Sequence, residues 1–424
     1  MSENLSNLNQ NSQYGGINHN SKHGGNIWET ASDLKISPDK IIDFSSNINP
    51  LGLTKNTLKI IRKNLNYITK YPDPDSKELR IKLSRILNIT LNITPDNLSA
   101  NSNNLLVNQD NLLISPDNLL VGNGSSELFY TALKAINPKN VIIPAPSFIE
   151  YEKAAKSVGA KCFFINYKIE NNNFNFNDFK LDFNELIDLI DSIIKIKNPL
   201  MQPSVIFLAN PNNPTGSIID REQILLLINK CKENGFFIFI DEAFIDFLDT
   251  PYNYSLINKV NQFENLVVFR SLTKFFAIPG LRLGYLAANK SLINKIRAYQ
   301  SDWPVNLIAQ VVGKEIINDN DYIIKTRKFI KKERYFLFKS LEKINQLKLY
   351  NSLTNFILIE IKNDENNIKK LDSRALYNIL LTKYKILIRD CSNFRNLGDN
   401  FFRIAVKKRK DNEYLVGCLN KVLN

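Results

Sequence analysis

The chain has 424 residues, of which 44% are hydrophobic and 23% charged, and this predicts a globular protein with one large and one small domain. Only two histidines occur, His19 and His23, both near the N-terminus, which argues against a Ser-His-Asp hydrolase and against a His-ligated zinc enzyme. Lys and Arg exceed Asp and Glu by 13, which suits either an anionic substrate or a nucleic-acid partner.

The cysteines are scattered along the chain without close pairs, so the sequence indicates neither a disulfide framework nor a metal site. No apolar run reaches the length of a membrane span, and the Asn- and Ser-rich N-terminus has no hydrophobic signal core. We therefore expect a cytoplasmic protein. The basic run at 407–410 is typical of a solvated face, with a nucleic-acid patch as the alternative.

Residues 1–22 are polar and low in complexity, which predicts a disordered tail. Residues 23–55 are predicted to form an N-terminal arm that contains His23-Gly24-Gly25 and Asn47. Paired glycines beside a histidine allow the backbone to approach a ligand closely, although a flexible loop has the same pattern.

Residues 56–300 are predicted to form the large domain. It begins with helices over 58–65 and 76–87, separated by a turn at Tyr71-Pro72, and an Asn-rich surface insertion over 88–115 follows. From there apolar strands alternate with helices; the predicted strands cover 119–121, 141–143, 205–209, 236–240 and 266–269. This alternation indicates a mostly parallel sheet covered on both faces, with ligands at the carboxyl ends of its strands.

Residues 301–424 are predicted to form a smaller α+β domain. The sequence after Trp303 is predicted to be mainly helical to about Leu341, and two later apolar runs, 355–359 and 386–389, are predicted to be strands. We find no internal repeat in the chain.

The motifs of the large domain follow its strands. Gly124-Ser125-Ser126 opens a helix whose backbone amides can bind a phosphate. Asn213 lies in a tight turn with two prolines before Gly216, and Asp241 ends an apolar strand. Taken alone, an aspartate in this position is more often a helix cap.

Lys274 lies where a core strand opens into a loop, and two phenylalanines follow it directly. Burial disfavours the ammonium form of a lysine, and the neutral amine can form a Schiff base with an aldehyde. Ser271 precedes this lysine by three residues and Arg282 follows it by eight. A hydroxyl and a fixed cation can converge on one phosphate.

This Ser-x-x-Lys segment with Arg282 resembles the cofactor-lysine segment of fold-type I pyridoxal 5'-phosphate (PLP) enzymes of the aminotransferase class I/II group. The resemblance covers nearly the whole chain from His23 to about Val406. It implies an α/β fold with a mostly parallel seven-stranded sheet in the large domain, PLP as cofactor and a homodimer, with no nucleic acid or membrane as partner. Within the group, the His-Gly-Gly arm, Phe244 and the segment from Arg389 to Phe394 resemble decarboxylases of phosphorylated amino acids more than the related aminotransferases.

The resemblance also implies roles for single residues. Lys274 would hold the cofactor, Asp241 would face the ring nitrogen, Asn213 the phenolic oxygen, and Phe148 would stack on the ring. The cofactor phosphate would be held by a larger set that includes a tyrosine from the neighbouring subunit: Tyr71, Gly124, Ser125, Ser126, Ser271 and Arg282. Position 244, where many aminotransferases of this group carry tyrosine, is phenylalanine, which leaves the phenolic oxygen chiefly to Asn213.

A substrate that carries both a phosphate and a carboxylate is implied by the residues assigned to it, which are His23, Asn47, Asn213, Arg389 and Arg403. Arg403 is flanked by apolar residues, where an unpaired cation is costly. Arg389 has the alternative of pairing with its neighbour Asp390 as structure. Decarboxylation and transamination use nearly the same residues, so the aminotransferase reaction remains an alternative, as does a DNA-binding regulator with this fold.

Overall fold

A computed structural model describes residues 24–92, 113–170, 178–195, 203–362 and 371–423. The predicted tail, His23 and most of the predicted insertion lie outside these ranges. Within them, no helix has both the length and the apolar character that crossing a membrane requires.

Helices and strands alternate along most of the described ranges. The helices are α1 (Ile27–Asp33), α2 (Lys55–Asn64), α3 (Lys77–Asn92), α4 (Ser125–Ile136), α5 (Glu150–Ser157), α6 (Phe183–Lys195), α7 (Arg221–Lys232), α8 (Leu272–Phe275), α9 (Lys290–Arg297), α10 (Leu307–Ile316), α11 (Asn320–Leu341), α12 (Ser373–Tyr384) and α13 (Arg409–Leu423). The strands are β1 (Ile42–Asp43), β2 (Leu119–Gly122), β3 (Asn140–Ala145), β4 (Lys161–Ile169), β5 (Phe179–Leu181), β6 (Ser204–Ala209), β7 (Phe236–Asp241), β8 (Leu266–Ser271), β9 (Gly284–Ala287), β10 (Leu347–Leu349), β11 (Phe356–Ile361), β12 (Ile386–Leu387), β13 (Arg389–Asp390) and β14 (Phe401–Ala405).

In the described part of the chain, eight strands form the large sheet in the order β2-β9-β8-β7-β6-β3-β4-β5. Strands β8, β7, β6, β3 and β4 run parallel, and β9 lies antiparallel between β2 and β8. The predicted mostly parallel sheet is confirmed, with one strand more than the seven expected. The edge strand β5 pairs antiparallel with β4 over three residues, and such a short run carries no recognisable pattern.

The large sheet separates two apolar cores. Along β6, Val205 and Phe207 pack in one core, whereas Ile206 and Leu208 pack in the other. Successive side chains of a strand point to opposite faces, so a strand buried on both faces reads as a continuous apolar run. Polar residues at the carboxyl ends of such strands therefore meet at one edge of the sheet.

The C-terminal part holds a four-stranded antiparallel sheet in the order β10-β11-β14-β13, packed with α11 and α13 around a third core. The predicted strand over 386–389 is divided between two sheets. Its first half, β12, pairs parallel with β1 of the N-terminal arm, and its last residue begins β13. The arm is thereby tied to the C-terminal part of the chain.

Helix α3 extends to Asn92, beyond the predicted end at residue 87 and into the predicted insertion. The reason is a tertiary contact of the buried side chain of Asn88. Its amide nitrogen donates to the carbonyl oxygen of Ile114 at 2.7 Å, and its Oδ1 accepts from the backbone N–H of Ile114 at 3.2 Å. The end of the helix is thus held by the chain that returns toward β2.

Candidate active site

A cleft of about 680 Å³ lies at the carboxyl ends of the parallel strands. The loops after β3, β6, β7 and β8 contribute Phe148, Asn213, Phe244 and Lys274 to its lining. The N-terminal arm and the C-terminal sheet close it from the other side with residues that include Gly24, Asn47, Arg389 and Arg403. The cleft therefore brings together most of the predicted site residues.

Lys274 lies in the short helix α8, directly after β8. Its Nζ donates to Ser271 Oγ at 3.0 Å and lies 5.9 Å from the centroid of the Phe244 ring. Burial lowers the pKa of Lys274 to about 8, Asp241 opposes this shift and Arg282 adds to it. Near neutral pH about a tenth of this amine is uncharged and able to attack an aldehyde, far more than for a lysine with the ordinary pKa.

Asp241 ends β7 and is buried. Burial raises the pKa of this carboxyl, and the hydrogen bond from Tyr151, the charge of Lys274 and the backbone N–H of Ala243 oppose the shift. The Tyr151 hydroxyl donates to Asp241 Oδ2 at 2.6 Å, and Ala243 N donates to Oδ1 at 2.9 Å. Both contacts favour the ionised carboxylate.

Tyr151 is a site residue that the sequence did not reveal. It is buried in α5, and its ring stacks on Phe207 at 4.7 Å and meets the predicted platform Phe148 edge-on at 5.7 Å. Nothing in the local pattern distinguishes it from an ordinary core tyrosine. Its position three residues after Phe148, which lies just before the start of α5, is the only available signal.

The start of α4 faces the cleft and presents backbone amides. Its first residues are Ser125 and Ser126, of which Ser126 lines the cleft, and Gly124 precedes them as a cap without a side-chain hydrogen bond. Gly124 has φ +81°, and a Cβ there would lie 2.7 Å from Arg282 Nη2. Glycine at this position therefore allows both the turn and the close approach of the guanidinium. This arrangement can hold a phosphate.

Asn213 and Arg403 meet on the floor of the cleft. Arg403 donates to Asn213 Oδ1, and its other terminal nitrogen donates to the carbonyl oxygen of Ser45 at 2.9 Å. Because the Oδ1 atom accepts from Arg403, the amide nitrogen of Asn213 is available as a donor. Phe244 has no hydroxyl, so between positions 213 and 244 only the Asn213 amide can donate a hydrogen bond to a phenolic oxygen.

Arg403 is buried, and its Nε has no hydrogen-bond partner. Burial lowers its pKa to about 10, with Arg389 adding to the shift. A buried donor without a partner is costly, and a carboxylate accepting from Nε would remove that cost. Asn47 also lines the cleft, and its Oδ1 is likewise buried without a partner.

Arg389 and Arg403 are cross-strand neighbours in register on β13 and β14. Arg389 donates to the carbonyl oxygen of Asp390 at 2.6 Å and to Asn393 Oδ1 at 2.7 Å. The Asp390 carboxylate instead accepts from Ser373 at 2.6 Å and Ser392 at 2.9 Å. Arg389 is thus bonded to the backbone carbonyl of Asp390, whose carboxylate binds other residues, and Arg389 lines the cleft.

The arm is shaped by Asp43, a second residue that the sequence did not reveal. Its Oδ1 accepts from the backbone N–H and the hydroxyl of Ser45 at 2.8 and 2.6 Å, and its Oδ2 accepts from the Ser46 hydroxyl. Gly25 N donates to Ser45 Oγ at 2.7 Å. These contacts present the Ser45 carbonyl to Arg403. An aspartate followed by two serines is the signal of such a turn.

One predicted site residue, Tyr71, lies away from the cleft. Tyr71 is 80% exposed and packs against Trp303, with the ring centroids 4.6 Å apart and the ring planes tilted by 31°, so it does not reach the cofactor site of its own chain. His23 lies outside the described residues.

A buried ion pair supports the strand ends that carry Asp241 and Ser271. Arg270 Nε lies 2.7 Å from Glu242 Oε2, and both side chains are almost fully buried. Ser255 donates to the same carboxylate at 2.8 Å and accepts from Arg270 at 2.9 Å. Glu242 and Arg270 adjoin Asp241 and Ser271 in sequence, so this network fixes the spacing of β7 and β8 at the cleft.

The donor set fits PLP. The buried carboxylate of Asp241 gains from a cationic ring nitrogen, the amine of Lys274 from an aldehyde, and the start of α4 with Arg282 from a phosphate. The Asn213 amide suits a phenolic oxygen, and Phe148 supplies an aromatic wall. In the described residues no group of histidine, cysteine or acidic side chains is arranged to hold a metal ion.

Residues 39–419 match the family described as Aminotransferase class I and II, and the chain belongs to this family. It is a PLP-dependent enzyme of fold-type I, as the lysine segment implied. The chain is 30% identical to the threonine-phosphate decarboxylase of Salmonella typhimurium over 405 residues, covering 95% of this chain and 97% of that protein.

A second group of relatives is equally similar. The chain is 32% identical to the histidinol-phosphate aminotransferase of Thermoanaerobacter pseudethanolicus over 377 residues, which covers 88% of this chain and 90% of that protein. The crystal structure of the histidinol-phosphate aminotransferase from Clostridium acetobutylicum superposes with a TM-score of 0.73 at 30% identity, and the match covers 91% of this chain and 99% of that one.

Proposed function

We propose that this enzyme decarboxylates L-threonine O-3-phosphate to (R)-1-aminopropan-2-yl phosphate and CO2, a reaction of cobalamin biosynthesis. The observation that carries the proposal is the pair of buried arginines, Arg389 and Arg403, in register at one cleft. Like charges directly opposite each other on neighbouring strands repel. A substrate with both a carboxylate and a phosphate would neutralise the pair.

The roles follow from the contacts. Bound PLP supplies a ring that accepts the electron pair of the broken Cα–carboxylate bond. Arg403, whose Nε is free to donate, would bind the carboxylate, and Arg389 with His23 and Asn47 would bind the phosphate end. The carboxylate leaves as CO2, and Lys274 Nζ delivers the proton that takes its place on Cα. Asp241, ionised with the help of Tyr151, would pair with the ring nitrogen.

Transamination of histidinol phosphate with 2-oxoglutarate is the second candidate, and the similarity to aminotransferases of that name supports it. Purified enzyme with PLP and carboxyl-labelled L-threonine O-3-phosphate, without an oxo acid, separates the two reactions. Repeated release of labelled CO2 is expected from the decarboxylase. Glutamate formed only from histidinol phosphate and 2-oxoglutarate would contradict the proposal.

We also infer that a second copy of the chain completes the site. Tyr71 and Trp303 pack against each other on the surface, and Tyr67 and Ile68, close to Tyr71 in sequence, are exposed as well. Contiguous exposed apolar side chains mark an interaction surface, and the family resemblance implies that Tyr71 reaches the partner's cofactor phosphate. The proposed assembly is a homodimer.

Subunit complementation tests this assembly. Lys274→Ala and Tyr71→Ala are each expected to abolish or strongly reduce activity as separate proteins. After unfolding and refolding together, half of the dimers are mixed and contain one intact site, so about a quarter of the wild-type activity should return. A Tyr71→Ala variant that is fully active alone, or mixed dimers that recover no activity, would rule out the shared site.

A further inference from the structure

A short segment between β13 and β14 links the C-terminal sheet to the large domain. This segment, residues 391–397, is called the clasp here. Arg395 Nη2 lies 3.2 and 3.4 Å from the two carboxylate oxygens of Glu152 in α5. The Arg395 guanidinium also stacks over Phe164 of β4, 3.7 Å from the ring centroid. Both partners belong to elements that surround the cleft wall formed by Phe148.

The two residues before Arg395 contact the predicted substrate clamp. Asn393 Oδ1 accepts a hydrogen bond from Arg389 Nη2 at 2.7 Å, and the Arg389 guanidinium lies 5.1 Å from the centroid of the Phe394 ring. Phe394 is buried and lines the cleft together with Phe148. Three consecutive residues therefore connect Arg389 with the large domain.

The anchoring contacts are weak enough to be reversible. The side chain of Arg395 is 47% exposed and that of Glu152 is 19% exposed, and ion pairs of this kind change an equilibrium only a few-fold. The cation–π contact with Phe164 adds a similar factor. Asn396 adds a hydrogen bond to Asn166 of β4, and Phe394 and Leu397 are buried in the core. Arg395 therefore contributes a factor of roughly ten to an attachment that these residues also support.

We propose that Arg395 is a positioning residue, which attaches the clasp to Glu152 and Phe164 and thereby holds Arg389 in place for the phosphate of the substrate. Without this attachment, Asn393 and Phe394 would keep their contacts with Arg389. The clasp would then be held to the large domain only by Asn396 and its buried apolar side chains, so the distance of Arg389 from that domain would be less fixed. The substrate part of this inference depends on the proposed function, whereas the attachment of the clasp does not.

The first test uses amide hydrogen exchange of the PLP-bound enzyme without substrate. The amides of Phe394 and Leu397 are bonded within the clasp, to the carbonyls of Cys391 at 3.0 Å and Phe394 at 3.1 Å. Arg395→Ala should raise exchange across residues 391–397 by about tenfold. Lys156→Ala is the matched control, because Lys156 pairs with the same Glu152 carboxylate at 2.6 Å without touching the clasp.

The second test separates positioning from general stability. Arg395→Ala should raise KM for L-threonine O-3-phosphate about tenfold and leave kcat within about twofold, since only the clamp on the phosphate is affected. Lys156→Ala should change neither constant. Arg395→Lys retains the charge but loses the planar stack and the fork, so its KM should lie between those of the wild type and Arg395→Ala.

Unchanged exchange in Arg395→Ala, or a fall in kcat at constant KM, overturns the inference. If Arg395→Ala melts at a lower temperature than Lys156→Ala, the test uses Arg395→Lys instead. Wild-type exchange and a wild-type KM in Arg395→Lys would then overturn the inference. If the wild type releases no CO2 while exchange in Arg395→Ala is faster, the proposed reaction fails but the clasp stands. The phosphate clamp is then tested by titrating the bound cofactor's absorbance with L-threonine O-3-phosphate, where unchanged affinity in Arg395→Ala contradicts it.

Discussion

Asp241 is buried and Lys274 is half-buried, and neither titratable group is fully compensated within the chain. Burial raises the pKa of Asp241 and lowers the pKa of Lys274 to about 8. Each shift favours the neutral form, and each group has a neighbour that opposes it. A cationic ring nitrogen would pair with Asp241, and an aldehyde would react with Lys274. These two residues therefore give the strongest indication of which cofactor the site binds.

Tyr151→Phe tests how the carboxylate is kept ionised. The Tyr151 hydroxyl lowers the pKa of Asp241, so removing it should raise that pKa further and weaken the pairing with the ring nitrogen. Hydrogen bonds to charged groups contribute enough for a loss of about tenfold or more in PLP affinity. Absorbance titration of the apoprotein measures this affinity. Tyr167→Phe, a nearby buried tyrosine of β4, is the control and should retain wild-type affinity; equal affinities in both variants would contradict this role.

The pKa of Lys274 predicts how cofactor capture depends on pH. A lysine with a pKa of about 8, lowered from 10.5 by burial, is mostly charged below pH 8 and mostly neutral above it. The rate at which apoprotein attaches PLP should therefore rise with pH and be half-maximal near 8. Asp241→Asn should lower this midpoint, because Asp241 raises the pKa of Lys274.

Stopped-flow absorbance of apoprotein mixed with PLP measures this profile. Because the unfolded chain binds more protons than the folded one between the two pKa values, Lys274 also makes the apoprotein more stable as pH rises through this window. A capture rate that is half-maximal near 10.5, the ordinary value for lysine, would show that the amine is not buried as described.

At the scale of elements, the sequence predicted what depends on neighbours along the chain. Apolar runs identified the central parallel strands, and the polar residues after them identified Asn213, Asp241 and Lys274 as residues at one edge. It did not predict features that depend on distant contacts. The division of residues 386–389 between two sheets follows from pairing with β1, more than 300 residues away in the chain, and the extension of α3 follows from Asn88 binding Ile114.

The start of α4 provides an element-scale prediction with a matched control. Gly124 and Gly159 both have positive φ, +81° and +73°, but a Cβ at Gly159 would meet nothing within 4 Å, whereas one at Gly124 would contact Arg282. Gly124→Ala and Gly159→Ala should each lose stability from backbone strain, about 1–3 kcal/mol, and the loss should be greater for Gly124, whose φ of 81° and ψ of 163° are reached almost only by glycine. Only Gly124→Ala should also lose PLP affinity, by about tenfold, because the added methyl group displaces the guanidinium of Arg282.

Thermal denaturation and absorbance titration of the two variants make the comparison. Equal PLP affinity in Gly124→Ala and Gly159→Ala would show that Arg282 does not depend on the glycine for its approach to the start of α4.

At the scale of the whole molecule, the proposed site for the substrate carboxylate combines three distant parts of the chain. Ser45 of the arm, Asn213 after β6 and Arg403 of β14 meet through the hydrogen bonds of one guanidinium. Family resemblance suggested Asn213 and Arg403 singly and did not suggest Ser45, and no local pattern connects residues that are 190 and 358 positions apart. No local pattern connects Tyr151 with Asp241 either, because their hydrogen bond joins α5 to β7.

The residue that carries the cofactor is the point on which all of these roles depend. Reduction of the PLP-bound enzyme with borohydride, followed by peptide mapping, should place the pyridoxyl label on Lys274 and should give no label in Lys274→Ala. A label on another lysine, or an unlabelled wild type, would contradict the assignment of this cleft as the active site.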